Sequence, residues 1–386
     1  MRQVVVVGEL NVDFILHNYQ AFPVPGREVL VDDFCTVLGS ASAICAVGLA
    51  RLGVPVAFIG RVGCDVWGDF CIDTLCGEGV DVSGITCDEA LKTGITVSIS
   101  STAERALVTY PGSIASLTLA HLADFTFKGD GHLHISSYYL QTGLRPGCRE
   151  LFQRATAAGW TTSLDPGCDP DDRWNKNAEL YETLREVDVF FPNDVELTAL
   201  TGEADSIAAL RQLDNGRTLT VVKRGARGAL ALDSRDDRRD PPEHRERRDR
   251  HERLDHLDRH ERHEHCADRD NRERGAIEVV SPAVEVADTT GAGDSFNAGF
   301  LYAWLQGRPL DACLRAATAC GALSTRGVGG TASQPSADEL EACMRAAHTT
   351  QAIHATHSTH ATHVAVVEPV SPVLHAARGA GRERSS

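Results

Sequence analysis

Residues 284–300 read VEVADTTGAGDSFNAGF. The valines before Asp288 predict a short apolar strand ending at that residue, Gly291 and Gly293 predict a turn, and Asp294 opens a helix with the inward stripe Phe296, Phe300, Leu301 and Trp304. Gly291, Ala292 and Gly293 carry a single methyl group among them, so their amides are bare. The first turn of a helix adds N–H groups without carbonyl partners and the positive end of the helix dipole. Such a turn holds an anion. A carboxylate beside it makes chemical sense when the anion is a phosphoryl group in transfer and the carboxylate takes the proton of an attacking hydroxyl. Asp294 is the candidate base. A helix cap explains Asp294 alone, but not the whole run from Asp288 through Thr289, Thr290, Gly291, Ala292 and Gly293 to Asp294.

Outward from this segment the chain alternates between two periods. Apolar runs at Val4 to Val7, Val56 to Ile59, Leu133 to Ile135, Thr161 to Leu164, Val187 to Phe191 and Leu219 to Val222 have the length of strands buried on both faces. Helix-period segments lie between them, at Ser42 to Leu52, Asp69 to Glu78, Gly147 to Ala158, Asn175 to Leu184 and Val195 to Leu200. This order predicts an α/β fold, a doubly wound, mostly parallel sheet with helices on both faces. Residues 12–37 and 94–110 depart from it. There the strands are short and half-polar, with Thr96, Ser98 and Ser100 alternating with apolar residues, as expected of a small β-sheet lid.

The 386 residues are 42% apolar and 24% charged with 34 glycines, which excludes a fibrous or wholly disordered chain. A formal charge of −16 disfavours nucleic acid and anionic membrane surfaces as partners. The 12 cysteines include no Cys-x-x-Cys pair, so no zinc ribbon or redox motif is read. The apolar run before Glu9 is too short for a signal segment, and Arg51, Gly53 and Pro55 interrupt the next one. A cytoplasmic protein with reduced thiols is expected. Two stretches have nothing to bury. Residues 235–274 carry 13 Arg, 14 Asp plus Glu and 6 His, and are read as a charged low-complexity insertion. Residues 349–386, with His354, His357, His360 and His363 among Ala and Thr, are read as a disordered tail. Setting both aside leaves one large domain within residues 1–348.

Asp288 to Asp294 resembles the C-terminal signature of the ribokinase-like carbohydrate kinases, the PfkB family. The resemblance extends through Gly8 to Asp13, Gly39 to Gly53, Gly60 to Gly68, Asn193 to Glu196 and Val222 to Gly228, all in the family's order. It implies ATP-dependent phosphorylation of a hydroxyl on a sugar or sugar acid, with Asp294 as base and Gly291, Ala292 and Gly293 as anion hole. Asn11, Asp13, Gly39 and Ser40 would bind the sugar, and Asn193, Lys223, Gly225 and Gly228 the nucleotide. Asn193 and Glu196 would hold Mg²⁺ through water, and Asp288 and Thr290 would lie at a K⁺ site. Lys223, one of only four lysines in the chain, would reach phosphate; a solvated strand-end cation is its plainer reading. The family's lids often pair, which implies a homodimer. Two positions depart from the pattern: Ser40 stands where a second glycine is usual, and Ile44 where an asparagine commonly contacts sugar. A nucleoside kinase, with Phe14, Tyr19, Phe22 or Phe34 stacking on a base, and a non-catalytic sensor of sugar or nucleotide remain alternatives.

Overall fold

The structure, a computed structural model, describes residues 2–17, 22–100, 105–174, 178–233 and 276–346. The charged insertion, the His-rich tail and Tyr19 lie outside the described residues.

The chain opens with β1 (Gln3–Val7), β2 (Asn11–His17), β3 (Asp33–Leu38), α1 (Ala41–Arg51), β4 (Val56–Gly63), α2 (Val66–Gly77) and β5 (Asp81–Asp88). It continues through β6 (Gly94–Ser100), β7 (Arg105–Tyr110), β8 (Gly131–Ile135), α3 (Cys148–Ala157), β9 (Thr161–Leu164), α4 (Ala178–Leu184) and β10 (Val189–Phe190). The last elements named are α5 (Asp194–Thr201), α6 (Ser206–Leu213), β11 (Leu219–Lys223), β12 (Ala229–Leu232), β13 (Ala276–Val279), α7 (Ala292–Leu305) and α8 (Leu310–Ser324).

Nine strands form one sheet in the order β13-β12-β11-β10-β9-β8-β1-β4-β5. Pairings from β11 to β5 are parallel, and β12 and β13 add antiparallel strands at one edge. The four valines of β1 show why the sheet needs cover on both faces. Val4 and Val6 pack with residues of α1, α7 and α8, whereas Val5 and Val7 pack with residues of α3 to α6. Side chains alternate across a strand, so a continuous apolar run must bury both faces. Each fully buried valine contributes about 1.5–3 kcal/mol.

The lid is a separate sheet in the order β3-β2-β6-β7. Its alternation sorts the residues by face: Asp13 lies opposite Thr96, which lies opposite Thr109, and Ile15 lies opposite Ser98, which lies opposite Leu107. Phe14 therefore belongs to the other face, where it stacks on Phe34 at 5.8 Å and meets Trp67 of α2 edge-on at 5.1 Å.

Two expectations are corrected. No strand precedes Asp288: β13 ends at Val279 and residues 280–288 join no ladder. Pro282 lacks an amide for pairing, and the Ala287 and Asp288 amides both donate to one carbonyl, Thr325 O at the end of α8. The second concerns α2, which begins at Val66 instead of Asp69. Asp65 caps it by accepting from the amides of Trp67 and Gly68, so the helix starts one turn earlier.

Candidate active site

Parallel strands deliver their polar residues at their carboxyl ends, where open α/β sheets bind ligands. Glu9 follows β1, Asp165 follows β9, Asn193 follows β10, and Lys223 ends β11. The α7 N-terminus faces this edge. Gly291 caps the helix in the left-handed conformation at φ 70°, and a Cβ there would lie 2.6 Å from the Gly330 Cα. Only glycine fits. Asp294 sits in the first turn, half-buried, with no hydrogen bond or ion pair to its carboxylate among the described residues.

The turn stands between two cavities. The smaller, about 150 Å³, has Thr290 on one wall and the lid face on another: Asn11, Asp13, Ile15, Thr96, Ser98, Leu107 and Thr109. Glu9, Ser40 and Ser137 close it from the main sheet. The larger, about 480 Å³, has Ala292 and Gly293 on one wall and Lys223, Gly225 and Gly228 on the other, with Pro282, Val284 and Val286 between. Gly39, Gly291 and Asp294 line neither cavity; Asp294 follows Gly293 in the chain.

In the smaller cavity the Asn11 amide donates to Asp13 Oδ1 at 2.7 Å and to Thr96 Oγ1 at 3.3 Å. A Cβ at Gly39 would collide with Asp13 Oδ1 and Asn11 Nδ2, so this glycine makes room for the two side chains that line the smaller cavity. Ser40 takes φ 71° and Ser137 φ 51°, two of three described non-glycine residues in the left-handed region, and both line this cavity. Such conformations cost roughly 1–3 kcal/mol each and cluster at functional sites. Ser40 is held there by bonds on both sides. Its hydroxyl donates to Glu9 O at 2.6 Å and accepts from the Ala43 amide at 3.0 Å as the cap of α1. Ile44, one turn later, packs against Gly330.

Lys223 is not a solvated cation. It is largely buried and pairs with Asp165 Oδ2 at 2.5 Å, and its ammonium lies beside Gly293, 3.6 Å from where a Cβ would stand. Burial works against the ammonium, but Asp165 and Glu196 outweigh it and hold its pKa above the ordinary lysine value. Asn193 and Glu196 form a reciprocal cap on α5, the asparagine oxygen accepting from the Glu196 amide and the glutamate oxygens accepting from Asn193 N and Nδ2. Burial first, then Asp165 and Asp294, push the Glu196 pKa to about 7 against the pull of Lys223. Neither lines a cavity, but Asn193 bridges Lys223 in parallel register. Asp288 ties its loop to the next one: Oδ1 accepts from Thr290 N and Oγ1, and Oδ2 from the Gly329 amide at 2.9 Å. The Asp294 pKa is pushed up to about 7, first by burial and then by Asp165, with Lys223 opposing.

Glu9, Asp165 and Asn297 were missed from the sequence. Glu9 stands in the quoted motif, buried where its carboxylate accepts from the Ser42 hydroxyl at 2.5 Å. Asp165 and Asn297 carry no local signal, being 132 positions apart.

The pattern of the pfkB family carbohydrate kinases matches residues 1–245 and 271–337. A fructokinase of Klebsiella pneumoniae is 30% identical over 322 residues, which cover 78% of this chain and 90% of that protein. The structure of a fructokinase with bound ATP from Xylella fastidiosa is 25% identical with a TM-score of 0.68, over 90% of this chain and 99% of that one. A Vibrio cholerae fructokinase double mutant, in a form with fructose, ADP and potassium ion bound, is 25% identical with a TM-score of 0.64, over 89% of this chain and 98% of that one.

Proposed function

The chain belongs to the pfkB family of carbohydrate kinases, and on that footing we propose that it phosphorylates a hydroxyl of a neutral sugar with ATP, using Asp294 as base. One observation carries the reading: the Gly291–Asp294 turn separates a pocket rich in hydroxyls and carboxylates from a groove lined mostly by glycine and apolar residues, with Lys223 and Arg224. The acceptor hydroxyl, held in the first, passes its proton to Asp294 as its oxygen attacks the γ-phosphorus, and ADP leaves along the second. The Gly291 to Asp294 amides take the charge on the equatorial oxygens. A lid over the pocket keeps water from competing as acceptor.

Asp13 and Asn11 accept from and donate to sugar hydroxyls in this scheme, and Ser40 shapes the pocket through Glu9. Among the described residues no Arg, Lys or His lines the pocket, which supports a neutral sugar over a sugar acid or sugar phosphate. No aromatic ring among the described residues lines it either, and Phe14 and Phe34 stack on the lid's opposite face, which weighs against a nucleoside base. Lys223, Gly225 and Gly228 would meet the nucleotide. The carboxylate and amide of Glu196 and Asn193 suit a hydrated Mg²⁺, and these two residues would hold it; Mg²⁺ neutralises phosphate oxygens when bound. Asp288, Thr290 and the 326–330 turn are the place for K⁺. A homodimer through the lid belongs to the same proposal, since the edge strand β7 exposes Val108 and Tyr110. Among the described residues no helix is long and apolar enough to cross a membrane.

An acceptor panel tests the reading: neutral pentoses and hexoses, sugar acids, sugar phosphates and nucleosides, each followed by ADP release. Neutral sugars are expected to turn over fastest. Preference for an anionic acceptor would contradict the pocket's chemistry.

A further inference from the structure

Beneath the glycine turn lies a buried polar knot that reaches a cavity only through Lys223, on the wall of the larger one. Asp165, 3% exposed, accepts from Lys223 Nζ at 2.5 Å and from Asn297 Nδ2 at 2.6 Å on Oδ2, and from the Gly167 amide at 2.9 Å on Oδ1. Three elements meet there. Asp165 follows β9, Lys223 ends β11, and Asn297 is one turn beyond Asp294 on α7. Asn297 is fully buried, and its Oδ1 has no hydrogen-bond partner among the described residues. An orphan acceptor costs about 1–3 kcal/mol, and turning the amide over would set its oxygen against the carboxylate. The asparagine therefore spends its donors on an ionised Asp165.

Stability is a poor explanation for such a knot. A buried ion pair replaced by apolar groups of similar size is often neutral or stabilising. Its position is better explained by the reaction. We propose that Asp165 is a positioning residue for phosphoryl transfer: it pins the Lys223 ammonium and the Asn297 amide under the turn and supplies the fixed negative charge that keeps Asp294 a competent base. The proposal rests on Asp294 being that base.

The groups whose charges act on Asp294 come from several elements: Asp165, Lys223, Glu9 after β1, Asp13 on β2 and Glu196 on α5. Asp165 has the largest influence among them, and Lys223 opposes it. The two halves of one ion pair therefore push Asp294 in opposite directions, a signature that a mere loss of stability would not produce. In the full-length protein, the pH dependence of kcat at saturating ATP and sugar reads this directly. Asp165→Asn is expected to move the acid limb down by about one pH unit, and Lys223→Met to move it up. Asp165→Glu keeps the charge and should leave the limb within about 0.3 unit of the wild type even where kcat falls.

Limbs unmoved in both Asp165→Asn and Lys223→Met, or moved in the same direction, overturn the proposal. If Asp165→Asn does not fold, Lys223→Met decides, because unmasking Asp165 must raise the limb. Asp294→Asn separates the two failures. An inactive Asp294→Asn beside an unshifted Asp165→Asn removes only the role of Asp165, whereas an active Asp294→Asn removes the base and this proposal with it.

Discussion

The two cavities that share the Gly291–Asp294 turn recognise their contents by opposite means. The smaller presents side chains, with Glu9, Asn11, Asp13, Thr96 and Thr109 offering fixed donors and acceptors from two sheets. Among the described residues the larger offers mostly backbone and short apolar groups, from Gly225 and Gly228 through Pro282 and Val286 to Gly293, beside Phe296, with Lys223 and Arg224 as its cations. Hydroxyls differ in position from sugar to sugar, so reading them takes directional side chains. A phosphate chain is the same in every nucleotide, and bare amides with a cation suffice for it. Selectivity should therefore reside in side chains on one flank of the turn and in backbone conformation on the other.

Within the two cavities the largest effect is expected at Asp13. Asp13→Ala removes a charged acceptor held by Asn11, a loss of about 2–3 kcal/mol or 30- to 150-fold in kcat/KM for sugar, with KM for ATP unchanged. Steady-state kinetics with each substrate varied in turn checks it, and equal losses for both would erase the contrast. Next comes the shared turn. Gly291→Ala forces a side chain into a left-handed residue against Gly330, at a cost of about 2–4 kcal/mol in urea unfolding. A stability within 0.5 kcal/mol of the wild type, on the order of an ordinary surface change, would show the turn to be less constrained than its geometry. The smallest change belongs to the groove wall. Val286→Ala, at a residue 57% exposed, should alter KM for ATP by less than about threefold, because little apolar contact is lost. A tenfold change would mean that side chains matter there too.

The main sheet was legible because buried strands announce themselves by unbroken apolar runs: β9 lies where Thr161 to Leu164 predicted it, and β1 extends the predicted run by one residue. The lid was legible for a related reason, since Thr96 and Ser98 alternate with apolar neighbours and point into the pocket. The supposed strand before Asp288 was not, because its valines line an open groove instead of a ladder. Gly39 was recognised as necessary, but its closeness to Asp13 was not, since a glycine does not reveal what approaches it. The knot of Asp165, Lys223 and Asn297 left no periodic trace. Its members are joined only by the ends of strands and the start of α7, and contacts at that range follow from the topology alone.

The decisive measurement concerns the Asp294 carboxylate. Asp294→Asn, assayed for ADP release and, on the same preparation, for equilibrium binding of sugar and of nucleotide, should lose about 10³-fold in kcat while holding both ligands within a few-fold of the wild type. The wild type, for its part, should slow as the pH falls through about 7, where burial and Asp165 let Asp294 take up a proton and the base is lost. Near-normal turnover by the variant, or a wild-type rate indifferent to pH across that range, would contradict the assignment of Asp294 as the group that activates the sugar hydroxyl.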